Sequence, residues 1–152
     1  MPRVLVTGMS GTGKSTALQL LAARGHHTVD TDTDEWSEWA SNDWVWRPEP
    51  ITALLTTHAH VFVAGCKSNQ GRFYPLFDHI VLLSAPADVL LARIEARTTN
   101  AYGKTPAERA EILHNLAVIE PLLRATATTE LDATLPAAEV ARQLEALTAT
   151  PR

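Results

Sequence analysis

Residues 8–15 read GMSGTGKS, from Gly8 to Ser15, directly after the apolar run Val4-Leu5-Val6. Side chains this small build almost no core, so the stretch makes sense only if its backbone is the working part. Gly8, Gly13, Lys14 and Ser15 fit the spacing G-x-x-x-x-G-K-[ST]. Bare glycines let successive N–H groups turn inward and wrap a phosphate. The stretch "KSTALQLLAARG" then predicts a helix whose N-terminus adds partial positive charge at the same place. On this reading Gly8, Ser10, Gly11, Thr12, Gly13, Lys14, Ser15 and Thr16 form a nucleotide-phosphate cradle. Lys14 reaches the β- and γ-phosphates and the Ser15 hydroxyl is a natural Mg²⁺ ligand, so ATP and Mg²⁺ are the expected cofactors.

Outward from the loop, valine-rich runs alternate with helix-period stretches. "RVLVTG", "HHTVD", "HVFVAG", "DHIVLLSA" and "TTELDAT" predict strands. Helices are predicted between them, including "DEWSEWASN" as a turn or two, "EPITALLTTHA", "PADVLLARIEARTT", a long one broken near Pro121, and "LPAAEVARQLEALT". Such alternation implies a three-layer α/β fold, a parallel sheet with helices on both faces. The 152 residues suit one domain, taken as 1–152. Hydrophobic residues make up 45% and charged residues 20%, an ordinary globular balance. A net charge of −4 argues against broad nucleic-acid or anionic-membrane binding, so the expected partner is a small molecule. A single cysteine, no long apolar run and no leader pattern together predict a cytoplasmic protein.

Asp30, Asp32 and Asp34 lie two apart in "VDTDTDEW", on one face of an extended segment. They fall at the end of the second predicted strand, where ligands bind in open parallel sheets. An acid there holds Mg²⁺ through water or accepts a proton from an attacking hydroxyl. Helix capping accounts for Asp34.

The loop GMSGTGKST, the following VDTD, the late LLARIEART and the ELDAT-LP ending resemble the nucleoside monophosphate kinase and shikimate kinase group of P-loop proteins. The resemblance implies a five-stranded parallel sheet of order 2-3-1-4-5, flanking helices and a lid near residues 98–109. It implies ATP-dependent phosphoryl transfer to a small-molecule acceptor, with a nucleoside or nucleoside monophosphate as one option and a nucleotide-binding switch or slow ATPase as another. It places Asp30 near Mg²⁺ and Asp32 at the acceptor hydroxyl. It also puts Arg93 over the adenine, Arg97 on the transferring phosphoryl and Leu135 in the loop bordering the adenine. Arg93 and Arg97 are four apart, on one helical face.

Two departures disfavour shikimate itself. The group's glycine triplet is replaced by "AGCKSNQGRF", and Glu120 stands where an arginine for the substrate carboxylate is expected. The acceptor segment is expected near residues 34–58. It holds Trp36, Trp39, Trp44 and Trp46, of which Trp36 and Trp39 share a helical face, and they form either an aromatic wall or a small core. Trp36 and Trp46 are taken as substrate residues, with Asn69, Gln70 and Arg72 as polar readers opposite.

Overall fold

In the computed structural model, residues 2–98 and 101–149 are described. Strand β1 (Arg3–Thr7) leads into helix α1 (Lys14–Ala23) and then β2 (Thr28–Asp30). A hairpin follows, β3 (Ser37–Ala40) and β4 (Asp43–Trp46), then α2 (Pro48–Thr57) and β5 (Val61–Ala64). A 3-10 helix (Gln70–Leu76) precedes β6 (His79–Ser84), α3 (Ala87–Ala96), α4 (Pro106–Val118), α5 (Glu120–Thr126), β7 (Thr129–Asp132) and α6 (Ala137–Leu147).

The main sheet runs β2-β5-β1-β6-β7 and every pairing is parallel. With the hairpin set aside, this is the expected 2-3-1-4-5 order. Side-chain alternation along the strands sorts the core onto two faces. Val4, Val6, Phe62, Ala64, Val81 and Leu83 pack under α1, α3 and α6. Leu5, Val61, Val63 and Ile80 pack on the other face with Ile51, Leu54, Leu55, Phe73, Phe77 and Trp46. Among the described residues, no helix is long and apolar enough to cross a membrane.

Residues 34–42 depart from expectation. In place of a helix, Ser37–Ala40 pairs antiparallel with Asp43–Trp46, and Trp39 stands opposite Trp44. The turn between them is Ser41-Asn42, with φ of 52° and 63°. Two positive-φ residues make a two-residue turn whose twist matches a hairpin, and asparagine tolerates that region better than most residues. Trp36 and Trp39 therefore share no helical face.

Two of the residues in the expected lid, 99 and 100, lie outside the described residues. The rest folds back on the body. Gly103 has a φ of 92°, and a side chain there would meet Ile94 at 2.6 Å and Ile112 at 2.7 Å. Its N–H donates to the Glu108 carboxylate at 3.1 Å, while the Thr105 hydroxyl caps α4 through the Glu108 N–H.

Candidate active site

The loop between β1 and α1 holds its glycines where other residues are strained. Gly8, Gly11 and Gly13 have φ of 151°, 86° and 88°. A Cβ on Gly8 would sit 2.4 Å from the Leu83 carbonyl oxygen, so only glycine passes beside β6 here. The Thr12 hydroxyl closes the loop by donating to the Met9 carbonyl at 2.9 Å. Lys14 Nζ donates to the carbonyls of Gly8 at 2.6 Å and Met9 at 3.1 Å. Burial holds the Lys14 ammonium below the ordinary lysine range, with Cys66, Asp32 and Asp30 acting in the opposite direction. A cation so placed gains from a neighbouring anion such as a phosphate.

Ser15 Oγ donates to Asp30 Oδ2 at 2.6 Å, joining the start of α1 to the end of β2. A hydroxyl beside a carboxylate is an oxygen donor set that suits Mg²⁺. Among the described residues no cluster of three His, Cys, Asp or Glu side chains forms a metal site.

A cleft of about 450 Å³ runs over the loop, lined by Ser10, Gly11, Gly13, Lys14, Ser15, Thr16, Asp32, Arg93 and Arg97. The sequence placed all of these residues there. A smaller recess of about 100 Å³ adjoins it, lined by Thr12, Gly13, Thr16, Arg93, Ala133, Leu135, Ala137 and Val140. Arg93 lines both and donates to the Gly11 carbonyl at 3.3 Å. It thus lines the same recess as Leu135, the two residues expected at the adenine. Arg97 is not on the helical face shared with Arg93, because α3 ends at Ala96 and Arg97 is extended. It reaches the cleft from the residue that follows α3, just before the lid, and donates to the Tyr102 carbonyl at 2.7 Å.

Asp32, in the lining of the cleft, forms an ion pair with Lys67. The Lys67 side chain is only 8% exposed, so its stem is packed and its ammonium fixed in direction. Burial pushes the Asp32 carboxyl up. The hydrogen bond and charge of Lys67, helped by Lys14 and a hydrogen bond from Trp44, more than offset this and hold it below the ordinary carboxylate range.

Lys67 also lines a second cavity of about 650 Å³, together with Trp39, Trp44, Cys66, Tyr102, Glu111 and Asn115. Its indoles are not the expected ones. Trp46 is fully buried, packs on Phe73 and Phe77, and donates from Nε1 to Thr31 Oγ1 at 2.8 Å. It is core, and Trp36 packs partly buried against the same cluster.

Three polar expectations also change. Asn69 clamps β4, accepting from Trp46 N–H at 3.0 Å and donating to the Trp46 carbonyl at 2.9 Å. Gln70 is buried and bonds Lys67 N–H, Thr7 and Tyr74. Arg72 is exposed and lies 5.9 Å from the Phe73 ring, away from both cavities. Asn69 and Gln70 are therefore structural latches that aim Lys67.

Tyr102, Glu111 and Asn115 were missed. They come from the lid and α4, far along the chain, and local sequence carried no signal for them. The Tyr102 hydroxyl donates to Glu111. Burial first, then that hydrogen bond and the Glu111 charge, push the phenol up to about 12, so it stays a protonated donor.

The family model described as AAA domain matches residues 4–114. A "Nucleotide-binding protein" of Deinococcus radiodurans is 30% identical over 151 residues, covering 95% of this chain and 52% of that protein. The chain thus spans about half the length of that curated relative. Among solved structures, a shikimate kinase from Acinetobacter baumannii in complex with shikimate superposes with a TM-score of 0.73. The two are 19% identical, with 99% of this chain and 94% of that one covered. A gluconokinase from Sinorhizobium meliloti gives 0.56 at 21% identity, covering 92% and 87%. These likenesses establish the shared fold, a five-stranded parallel sheet flanked by helices.

Proposed function

The chain belongs to the AAA domain family, and from that premise we propose that it transfers the γ-phosphoryl group of ATP to a hydroxyl of a small-molecule acceptor. One observation carries the reading. Asp32 lines the phosphate cleft, and its ion-pair partner Lys67 lines a second, organic-sized cavity, so the pair joins the two. A pure nucleotide-binding module has no need of the second cavity.

In this reading the loop N–H groups and Lys14 hold the phosphates, and Ser15 with Asp30 would hold Mg²⁺, Asp30 through water. Mg²⁺ would supply charge neutralisation at the β- and γ-oxygens. Arg93 and Leu135 flank the adenine. Arg97, at the root of the lid, meets charge developing on the transferred group. Asp32 faces the acceptor hydroxyl. Its lowered pKa makes it a weak base, so its main work is orientation, and it takes the proton late, as the new O–P bond forms. That suits phosphoryl transfer, where positioning and electrostatics dominate. Trp39 and Trp44 of the hairpin supply one wall of the acceptor cavity, and Tyr102 with Glu111 and Asn115 of α4 supplies the other.

A nucleotide-dependent switch is the second reading, favoured by the likeness to the nucleotide-binding protein of Deinococcus radiodurans. ADP release from ATP–Mg²⁺ with and without hydroxylated acceptors separates the two. A kinase is nearly idle until one acceptor is added. A rate that no sugar, nucleoside, nucleotide or other hydroxylated metabolite raises refutes the transferase reading.

A further inference from the structure

We propose that the acceptor is an uncharged or amine-bearing hydroxylated ring lying on Trp39 and Trp44, and that the cavity rejects carboxylates and phosphates. The proposal rests on the kinase reading above and deepens it. A volume of about 650 Å³ suits a small organic molecule.

The first observation is the aromatic wall. Trp39 and Trp44 are cross-strand partners, so both indoles stand on one face of the hairpin. Their centroids are 5.4 Å apart, and Trp39 is 72% exposed. The exposed Trp39 indole beside the half-buried Trp44 presents an apolar surface to a ring face, and its negative π-face attracts a cation.

The second observation is charge. Among the described residues, Lys67 is the one cation lining this cavity, with its ammonium held on Asp32, and Glu111 is the one carboxylate. Arg47 donates to the carbonyls of Asp34 and Glu35, and Arg124 bridges Glu120 and Glu130. Among the described residues, no guanidinium fork lines the cavity to take a carboxylate or phosphate. Tyr102 and Asn115 provide neutral polar groups of the kind that hold ring hydroxyls.

The test titrates tryptophan fluorescence of the ADP complex with glucosamine, glucose and glucuronate, one ring scaffold carrying positive, zero and negative charge. Glucosamine is expected to bind at least about tenfold tighter than glucuronate, a gap of about 1.4 kcal/mol, with glucose between them. Glu111→Gln should narrow that gap to under about threefold by Coulombic loss. Trp39→Ala, at an exposed position, should weaken glucose and glucosamine together. Equal affinities, tighter glucuronate, or no binding of the neutral and amino sugars overturns the proposal. ATP–Mg²⁺ binding, measured separately, keeps the two readings apart. If ATP binds and glucuronate wins, the acceptor class falls and the kinase stands. If ATP fails to bind, the kinase reading falls whatever the order of the sugars.

Discussion

Lys14→Ala should abolish most of the stabilisation that ATP–Mg²⁺ confers while leaving the fold intact. At a nucleotide concentration a hundred times its dissociation constant, ligand linkage adds about 2.7 kcal/mol. For a domain of this size each kcal/mol moves the Tm by about 2–4 °C, so the wild type should gain about 5–11 °C. The Lys14 ammonium sits on the Gly8 and Met9 carbonyls, where an incoming phosphate takes over its hydrogen bonds. Losing a charge-assisted contact of about 2.7 kcal/mol weakens binding about a hundredfold. At the same ATP concentration the variant should then gain only about 0.4 kcal/mol, or about 1–2 °C. A second signature comes from the proton. Burial depresses the Lys14 pKa, and a bound phosphate raises it. ATP binding should therefore take up a proton on the alkaline side and weaken as pH rises. Differential scanning fluorimetry reads the first effect, and calorimetry in buffers of different ionisation enthalpy reads the second. An equal thermal shift in wild type and variant, or identical proton uptake, refutes the assignment of Lys14.

Asp32→Asn should lower single-turnover phosphoryl transfer by about 10²-fold, toward the low end for loss of a proton acceptor, with ATP affinity nearly unchanged. Asp30→Asn should instead raise the Mg²⁺ concentration needed for half-maximal rate; equal Mg²⁺ curves would remove Asp30 from the metal site. Trp46→Ala should cost about 3–5 kcal/mol in urea unfolding, because a fully buried indole leaves a cavity, whereas Trp39→Ala should stay within about 0.5 kcal/mol. Glu145 accepts from Arg24 and contacts His26, and the Arg24 hydrogen bonds followed by His26 lower its carboxyl to about 2 from 4.5. Its folded pKa is depressed, so its contribution is full above pH 4.5 and fades as pH falls through about 2. Thermal melts of Glu145→Gln should lie below wild type at pH 6 and converge with it near pH 2.

The phosphate loop was legible because its chemistry is local. Glycines at fixed offsets between a valine strand and a helix leave few other uses for the backbone. The strand order was legible only through family resemblance, since alternation alone implies a parallel sheet without ranking its strands. The hairpin misread has a physical cause. Trp36 and Trp39 are three apart and mimic helical spacing, while the deciding feature is a Ser41-Asn42 turn with two positive φ values. Asn69 and Gln70 looked like free polar readers because a loop sequence does not show its partners. Those partners, Trp46, Thr7 and Tyr74, arrive from β4, β1 and the 3-10 helix. Lys67 was visible as a polar residue, but its pairing with Asp32 spans 35 positions.

The most direct measurement follows the γ-phosphoryl group itself. Phosphorus NMR of the protein turning over ATP–Mg²⁺ in a mixture of neutral and amino ring polyols should show a phosphomonoester growing in step with ADP. Inorganic phosphate should stay near the level seen with Lys14→Ala. ADP matched instead by inorganic phosphate, with no organic phosphoester formed, would show that water is the acceptor and contradict the account.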